Sequence, residues 1–308
     1  MIYTITFDPA IDYYVTVPEL QMGTVTRAKE TAIEPGGKGL NVSTVLHHLG
    51  VPTTALGFLA GETGDMLAAM LAERGVPTDL IRLPEGRSRI NVKLHTKTVT
   101  EINGAGPAPD AAAMDALYAR LDAMQDGDTL VLAGSVPQGV SDTLYCDILE
   151  RVKDKQLRVA VDASGDLLRK TLAYHPFLIK PNHIELGALF GVRLGTPREA
   201  ERYARRLQDL GAQNVLVSMG ERGAVLVDAE GNAYARRAMS GKALRTTGAG
   251  DSMLAGFLAG CDRYGDLSRA LTHGIAAASA TVFSGTLSPA DMTAQFFETM
   301  ERAIGEHV

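Results

Sequence analysis

Cysteine is scarce in this chain: 308 residues hold two, Cys146 and Cys261. They lie far apart and at no metal-binding spacing, which excludes a disulfide framework and fits a reducing, cytoplasmic setting. Each falls in an apolar helical pattern and reads as packing. Excess positive charge is also missing. A net charge of −6 argues against nucleic acid or a membrane surface as a partner held by bulk electrostatics. Any anionic ligand must therefore be gripped by local groups. No apolar run is long enough to span a bilayer, and residues 1–7 alternate as a strand with no basic flank, unlike a signal peptide. There is no internal repeat, no low-complexity tract, no Ser/His/Asp order and no His/Cys metal set. His47-His48 sits in an apolar helical run and reads as packing or surface. The basic cluster Arg202, Arg205 and Arg206 shares a helix with Glu199 and Glu201 and reads as a solvated face.

What remains is ordinary for a soluble enzyme, with 45% hydrophobic and 21% charged residues. The length fits one large α/β domain or two small ones, and residues 1–308 are taken as a single domain on the family resemblance given below. Strand-like runs at 55–59, 129–133, 158–161, 177–179 and 214–218 alternate with helical periodicity at 41–49, 65–74, 111–124, 142–152 and 199–210. That rhythm predicts a three-layer α/β/α fold with a mostly parallel sheet, and ligands at the carboxyl ends of its strands. A hairpin is expected at 224–227 and 233–235, and helix from 251 to 308. The small residues at 276–280 would let a neighbour pack close. Two stretches, about 12–33 and 88–104, break the rhythm. Rich in Thr, Val and Tyr and without helical period, they predict a small extra sheet serving as a lid or a dimer surface, or else a plain structural excursion.

Five segments carry possible chemistry. Thr246-Thr247-Gly248-Ala249-Gly250-Asp251-Ser252 runs into a helical pattern, so unpaired amides and the helix dipole would make an anion site beside a carboxylate. An anion cradle next to a proton acceptor suits phosphoryl transfer to an alcohol; a capped loop is the alternative. Gly36-Gly37-Lys38-Gly39-Leu40-Asn41 offers close backbone approach, a point charge for phosphate and an amide for sugar hydroxyls. It lacks P-loop spacing, and a plain glycine turn would look the same. Arg89, Asn91 and Lys93 share one strand face and could clamp a phosphate or simply meet solvent. Asn182 and Glu185, three apart after a buried strand, could organise Mg²⁺ through waters or form a capping box that needs no ligand. Ser218-Met219-Gly220-Glu221-Arg222-Gly223 offers amides and a hydroxyl to phosphate or ribose, or is a hairpin turn.

In this order the segments resemble the ribokinase-like PfkB sugar kinases, on the 1-phosphofructokinase/tagatose-6-phosphate kinase branch. The resemblance runs almost end to end, through Asp8-Pro9-Ala10-Ile11-Asp12, Gly36-Gly37-Lys38-Gly39, Arg89-Ile90-Asn91-Val92-Lys93, Thr100-Glu101-Ile102-Asn103, Leu132-Ala133-Gly134-Ser135, Asp162-Ala163-Ser164-Gly165, Lys180-Pro181-Asn182, Ser218-Met219-Gly220 and Gly248-Ala249-Gly250-Asp251. It implies ATP-dependent phosphorylation of a ketohexose phosphate. Fructose 1-phosphate would come first, giving fructose 1,6-bisphosphate; tagatose 6-phosphate and fructose 6-phosphate are the alternatives. A sugar-phosphate sensor that kept the fold is the non-enzyme alternative. By the same resemblance Asp251 would be the catalytic base and Gly248, Ala249 and Gly250 the anion hole. Lys180, Asn182, Glu185, Ser218, Gly220, Gly223 and Ser279 would line the ATP site, with Mg²⁺ at Glu185 through water. Asp12, Gly37, Lys38, Asn41 and Arg89 would hold the sugar phosphate, and the lid would pair two copies into a homodimer. Arg245 stands where many relatives carry Asp or Asn beside a monovalent cation, which argues against a potassium requirement or moves it onto backbone carbonyls.

Overall fold

The computed structural model describes residues 1–305. The chain starts with β1 (Ile2–Thr6), leaves the main sheet for β2 (Ala10–Thr16) and β3 (Glu30–Gly36), and enters α1 (Lys38–His48). It continues through β4 (Thr53–Leu59), α2 (Gly61–Glu73) and β5 (Thr78–Arg82), then makes a second excursion through β6 (Arg89–His95) and β7 (Val99–Asn103). Alternating units follow: α3 (Ala111–Asp122), β8 (Thr129–Ala133), α4 (Leu144–Val152), β9 (Arg158–Asp162), α5 (Gly165–Thr171), β10 (Leu178–Ile179), α6 (His183–Leu189), α7 (Pro197–Asp209) and β11 (Asn214–Ser218). The hairpin β12 (Ala224–Val227) and β13 (Ala233–Arg236) leads to α8 (Ala249–Tyr264), α9 (Leu267–Ser284) and α10 (Ala290–Gly305).

A nine-stranded sheet has the order β13-β12-β11-β10-β9-β8-β1-β4-β5. All its strands are parallel except the edge hairpin β12 and β13. Both faces are covered, so its strands read as continuous apolar runs. In β8, Leu130 and Leu132 point into one core and Val131 and Ala133 into the other. The first core is closed by α3, α4 and α7, the second by α1, α8, α9 and α10. The chain proceeds outward from β1 to β4 and β5, then returns to build β8 through β11 on the other side. The switch point between β1 and β8 is where such sheets open a ligand crevice.

Small residues set how closely α8 and α9 approach. A Cβ on Gly256 would lie 2.6 Å from Ala277 Cβ, and one on Gly260 would lie 2.7 Å from Ala270 Cα. The small run at 276–280 is therefore half of a tight helix pair. Buried hydroxyls of Ser252 and Thr281 bond at 2.7 Å, locking the first turn of α8 to α9.

The second sheet has the order β3-β2-β6-β7. Its boundaries correct the sequence reading. The first stretch is two strands, 10–16 and 30–36, separated by irregular chain, and Asp12 lies inside β2. The second is an antiparallel hairpin of β6 and β7. Expected helix at 306–308 lies outside the described residues. Cys146 and Cys261 are half-buried and unpaired, in α4 and α8, rather than fully packed away.

Candidate active site

Loops at the carboxyl ends of β1, β8, β10 and β11 converge on two adjoining cavities. The first, of about 580 Å³, is polar and lies under the small sheet. The second, of about 520 Å³, is walled by Met239, Met253, Ile275, Val282 and Phe283. Ser218, Thr246 and Gly250 line both, so the two meet at the start of α8.

That start is built for an anion. Gly248 is the N-cap with φ 83°, and no side chain caps the helix. Glycine alone takes this left-handed backbone without strain, and a Cβ there would lie 2.6 Å from Leu287 Cδ2. Ala249 spends its N–H on the Thr246 carbonyl at 3.3 Å. The Gly250 and Asp251 amides that follow have no intrahelical partner, and the Ser252 N–H resumes the helix by donating to the Gly248 carbonyl at 2.8 Å. A Cβ placed on Gly250 would sit 3.4 Å from Lys180 Nζ, so an ammonium group adjoins the turn.

Asp251 follows in the first turn of α8 with 7% of its surface exposed. Asn41 Nδ2 donates to its Oδ2 at 2.7 Å. Burial pushes its carboxyl above the ordinary carboxylate range and the Asp162 charge pushes the same way, while Lys38, the Asn41 bond and Lys180 pull it back. Asp162, at the end of β9, is 1% exposed. Its Oδ1 takes Lys38 Nζ at 3.0 Å and its Oδ2 takes Lys180 Nζ at 3.1 Å. Burial opposes its ionisation, but Lys180 and Lys38 outweigh burial and hold its carboxyl below the usual range. Lys38 responds in kind: burial lowers its pKa, and the charges of Asp162 and Asp251 more than reverse this. From sequence, Lys38 belonged to the sugar and Lys180 to the nucleotide. In the fold both reach one carboxylate.

The inner face of the small sheet roofs the first cavity. Asp12 Oδ1 accepts from Asn91 Nδ2 at 2.9 Å, and Gly36 must be glycine because a Cβ would sit 2.6 Å from Asp12 Cγ. Burial raises the Asp12 carboxyl, only partly offset by Asn91 and Lys93. Lys93 Nζ pairs with Glu101 at 2.7 Å. Arg89 Nε donates to the Asp8 carbonyl at 3.0 Å and lies 3.2 Å from the Asp8 carboxylate, at the root of the sheet. Gly37, at φ 124°, caps α1 and lines the same cavity.

Asn182 and Glu185 form the capping box: Asn182 Oδ1 accepts the N–H of Glu185 at 2.8 Å, and Glu185 Oε2 accepts that of Asn182 at 2.8 Å. Both still line the first cavity. Among the described residues no cluster of three His, Cys, Asp or Glu is placed to hold a metal, and no helix is long and apolar enough to cross a membrane. Ala249, Gly220 and Ser279 line the second cavity. Gly223 does not. Its φ is 89°, and a Cβ would strike the Arg236 carbonyl, so its glycine serves the edge hairpin. Sequence reasoning missed the part played by Asp162, and it missed Asp8 and the wall from Ala238 to Ala243. The Asp-Ala-Ser-Gly run after a strand was the available signal for Asp162. The wall has none, because it is irregular chain with neither helical nor strand periodicity.

Residues 1–292 match the pfkB family of carbohydrate kinases. The chain is 40% identical to the 1-phosphofructokinase of Bacillus subtilis (strain 168), covering 96% of this chain and 97% of the relative. It is 37% identical to the D-tagatose-1-phosphate kinase of Bacillus licheniformis, over 96% and 97% of the two. Phosphofructokinase-2 from Escherichia coli, solved in complex with substrates and products, superposes with a TM-score of 0.91 at 29% identity, covering 97% of this chain and 99% of that one. With 36% identity to a further 1-phosphofructokinase, from Borreliella burgdorferi, over 93% of each chain, these matches establish that the chain belongs to the pfkB family of carbohydrate kinases.

Proposed function

We propose that this kinase transfers the γ-phosphoryl group of ATP to the 6-hydroxyl of fructose 1-phosphate, giving fructose 1,6-bisphosphate. One observation carries the reading: a buried carboxylate, Asp251, stands in the first turn of an uncapped helix where an apolar and a polar cavity meet. The apolar cavity suits an adenine base, with Ser279 and Gly220 on its wall. Ser218, Lys180 and Asn182 lead from it toward the turn. The polar cavity suits a phosphorylated sugar, with Asp12, Asn91, Arg89 and Gly37 around it. Asp251 takes the proton of the acceptor hydroxyl, and that oxygen attacks the γ-phosphorus as ADP leaves. Gly248, Ala249 and Gly250 present the turn that meets the charge on the transferring group. Lys38 and Lys180, held by Asp162, flank it. Asn41 fixes the orientation of Asp251. Asn41 and Lys38, expected from the sequence to hold the sugar phosphate, would thus also act beside the base.

Mg²⁺ fits the donor set. Glu185 supplies one hard oxygen, and an ion carried mainly by ATP phosphates and water needs little more. When bound it would neutralise phosphate charge. A potassium requirement is unsupported, because the Arg245 guanidinium already occupies the Thr247 carbonyl at 2.9 Å. The outer face of the small sheet supports a homodimer: Ile33, Ile90 and Ile102 are exposed there while its inner face carries the polar residues. A coupled assay offering ATP with fructose 1-phosphate, tagatose 1-phosphate, tagatose 6-phosphate, fructose 6-phosphate and ribose tests the reading. Fructose 1-phosphate should give the highest kcat/KM. Tagatose 1-phosphate is the second reading, favoured by the Bacillus licheniformis relative; it leaves the same 6-hydroxyl as acceptor. No turnover with any sugar would leave a sensor.

A further inference from the structure

Arg245 sits three residues ahead of the Gly248 cap and does three things with one planar group. Its Nε donates to the Thr247 carbonyl at 2.9 Å. Its Nη1 meets Glu34 Oε2 on β3 at 2.5 Å, and its Nη2 donates to the Tyr14 hydroxyl on β2 at 3.0 Å. The guanidinium also lies over the Tyr14 ring, 5.4 Å from its centre. Arg245 is 10% exposed and Glu34 23%, so this is a partly desolvated pair rather than a surface contact. The root of the arm is fixed: the N–H groups of Leu244 and Arg245 both donate to the Val282 carbonyl of α9, at 2.8 and 3.2 Å.

The far ends of these bonds are next to Asp12. Glu34 is its register partner across β2 and β3. Tyr14 is two residues further along β2, on the same face. One guanidinium thus spans the segment that introduces the phosphate turn and the strands that carry the roof of the sugar cavity. A lysine cannot reproduce three divergent bonds from one plane.

We propose that Arg245 is a positioning residue that couples the seated small sheet to the phosphate turn, so that phosphoryl transfer to sugar outruns transfer to water. This rests on the kinase reading above. With the sheet displaced, the bonds to Glu34 and Tyr14 are lost and the guanidinium keeps only its bond to the Thr247 carbonyl. Seating the sheet restores them and excludes solvent from the same turn.

The test is a mutant cycle on R245M and E34Q, with R245K and Y14F alongside, measuring sugar phosphorylation and sugar-free ATP hydrolysis. R245M and E34Q should each lower kcat for sugar by about tenfold, leave the ATP KM within about twofold, and raise hydrolysis relative to transfer. The double variant should be no worse than R245M by more than about twofold, because both remove one interaction. R245K should not rescue. Y14F, which removes a single oxygen, should shift the hydrolysis-to-transfer ratio in the same direction by about threefold, and it keeps the test open if R245M folds poorly. Additive losses in the double variant, or an unchanged hydrolysis-to-transfer ratio in all four, would overturn the coupling while an active wild type upholds the kinase reading. A wild type inert toward every ketohexose phosphate would overturn both.

Discussion

Replacing Asp162 with Asn isolates the electrostatic centre of the site. The substitution keeps shape and removes one charge that two ammonium groups share. Lys180 is 5% exposed and Asp162 1%, so that arm is a buried pair, and breaking one by removing a partner costs about 3–5 kcal/mol. Lys38 is 38% exposed, so solvent screens its arm and it adds only ~0–1 kcal/mol. The expected loss at neutral pH is therefore about 3–5 kcal/mol, read by urea unfolding. The pH dependence has a definite sign. The folded pKa of Asp162 lies below its ordinary value of 3.8. Its contribution is fully present above that value and is lost as pH falls through the folded pKa. The gap between wild type and variant should accordingly close on acidification below pH 3.8. Kinetics give a second reading. Asp162 pushes the Asp251 carboxyl up while Lys38 and Lys180 pull it down. In the variant burial still raises the Asp251 carboxyl, but the upward push of the Asp162 charge is gone while both lysines remain, so the acid limb of kcat/KM should move to lower pH. Stability unchanged within about 0.5 kcal/mol, or an acid limb displaced upward, would refute the reasoning.

Other consequences are equally direct. Gly248→Ala forces a Cβ onto a left-handed backbone and into Leu287; it should cost at least about 1 kcal/mol and depress kcat far more than the KM of either substrate. Ile102→Asp places charge on the apolar outer face of the small sheet, where Ile102 is 58% exposed; if that face pairs two copies, light scattering should report dimers for the wild type and monomers for the variant. Exchanging K⁺ for Na⁺ at constant ionic strength should leave kcat within about twofold, because a guanidinium already serves the Thr247 carbonyl.

The layered sheet was legible because its strands are apolar on both faces, and runs such as 129–133 and 214–218 coincide with β8 and β11. The edge strand β5 was not: Thr78, Asp79 and Arg82, three of its five residues, are exposed to water. Glycines marked the phosphate turn and the start of α1, since each needs a backbone no other residue takes easily. The roof was read as two loose stretches because β2 and β3 are joined by an irregular segment, and pairing between distant strands leaves no local periodicity. In the Lys38–Asp162–Lys180 cluster the first bond joins residues 124 positions apart, beyond any local pattern. The Asn182–Glu185 pair shows a further limit: a capping box and a cavity-lining pair are the same residues here, so spacing alone could not separate the two readings.

The central claim is that Asp251 removes the proton from the sugar hydroxyl, and Asp251→Asn tests it most directly. Loss of a general base lowers turnover by about 10²–10⁴-fold, and ATP affinity should stay within about twofold of wild type. Because the folded pKa of Asp251 is raised, its ionised form opposes folding above that pKa. The variant should therefore be no less stable than wild type at neutral pH, and its thermal midpoint should rise. A variant that phosphorylates fructose 1-phosphate within about tenfold of the wild-type rate would contradict the account.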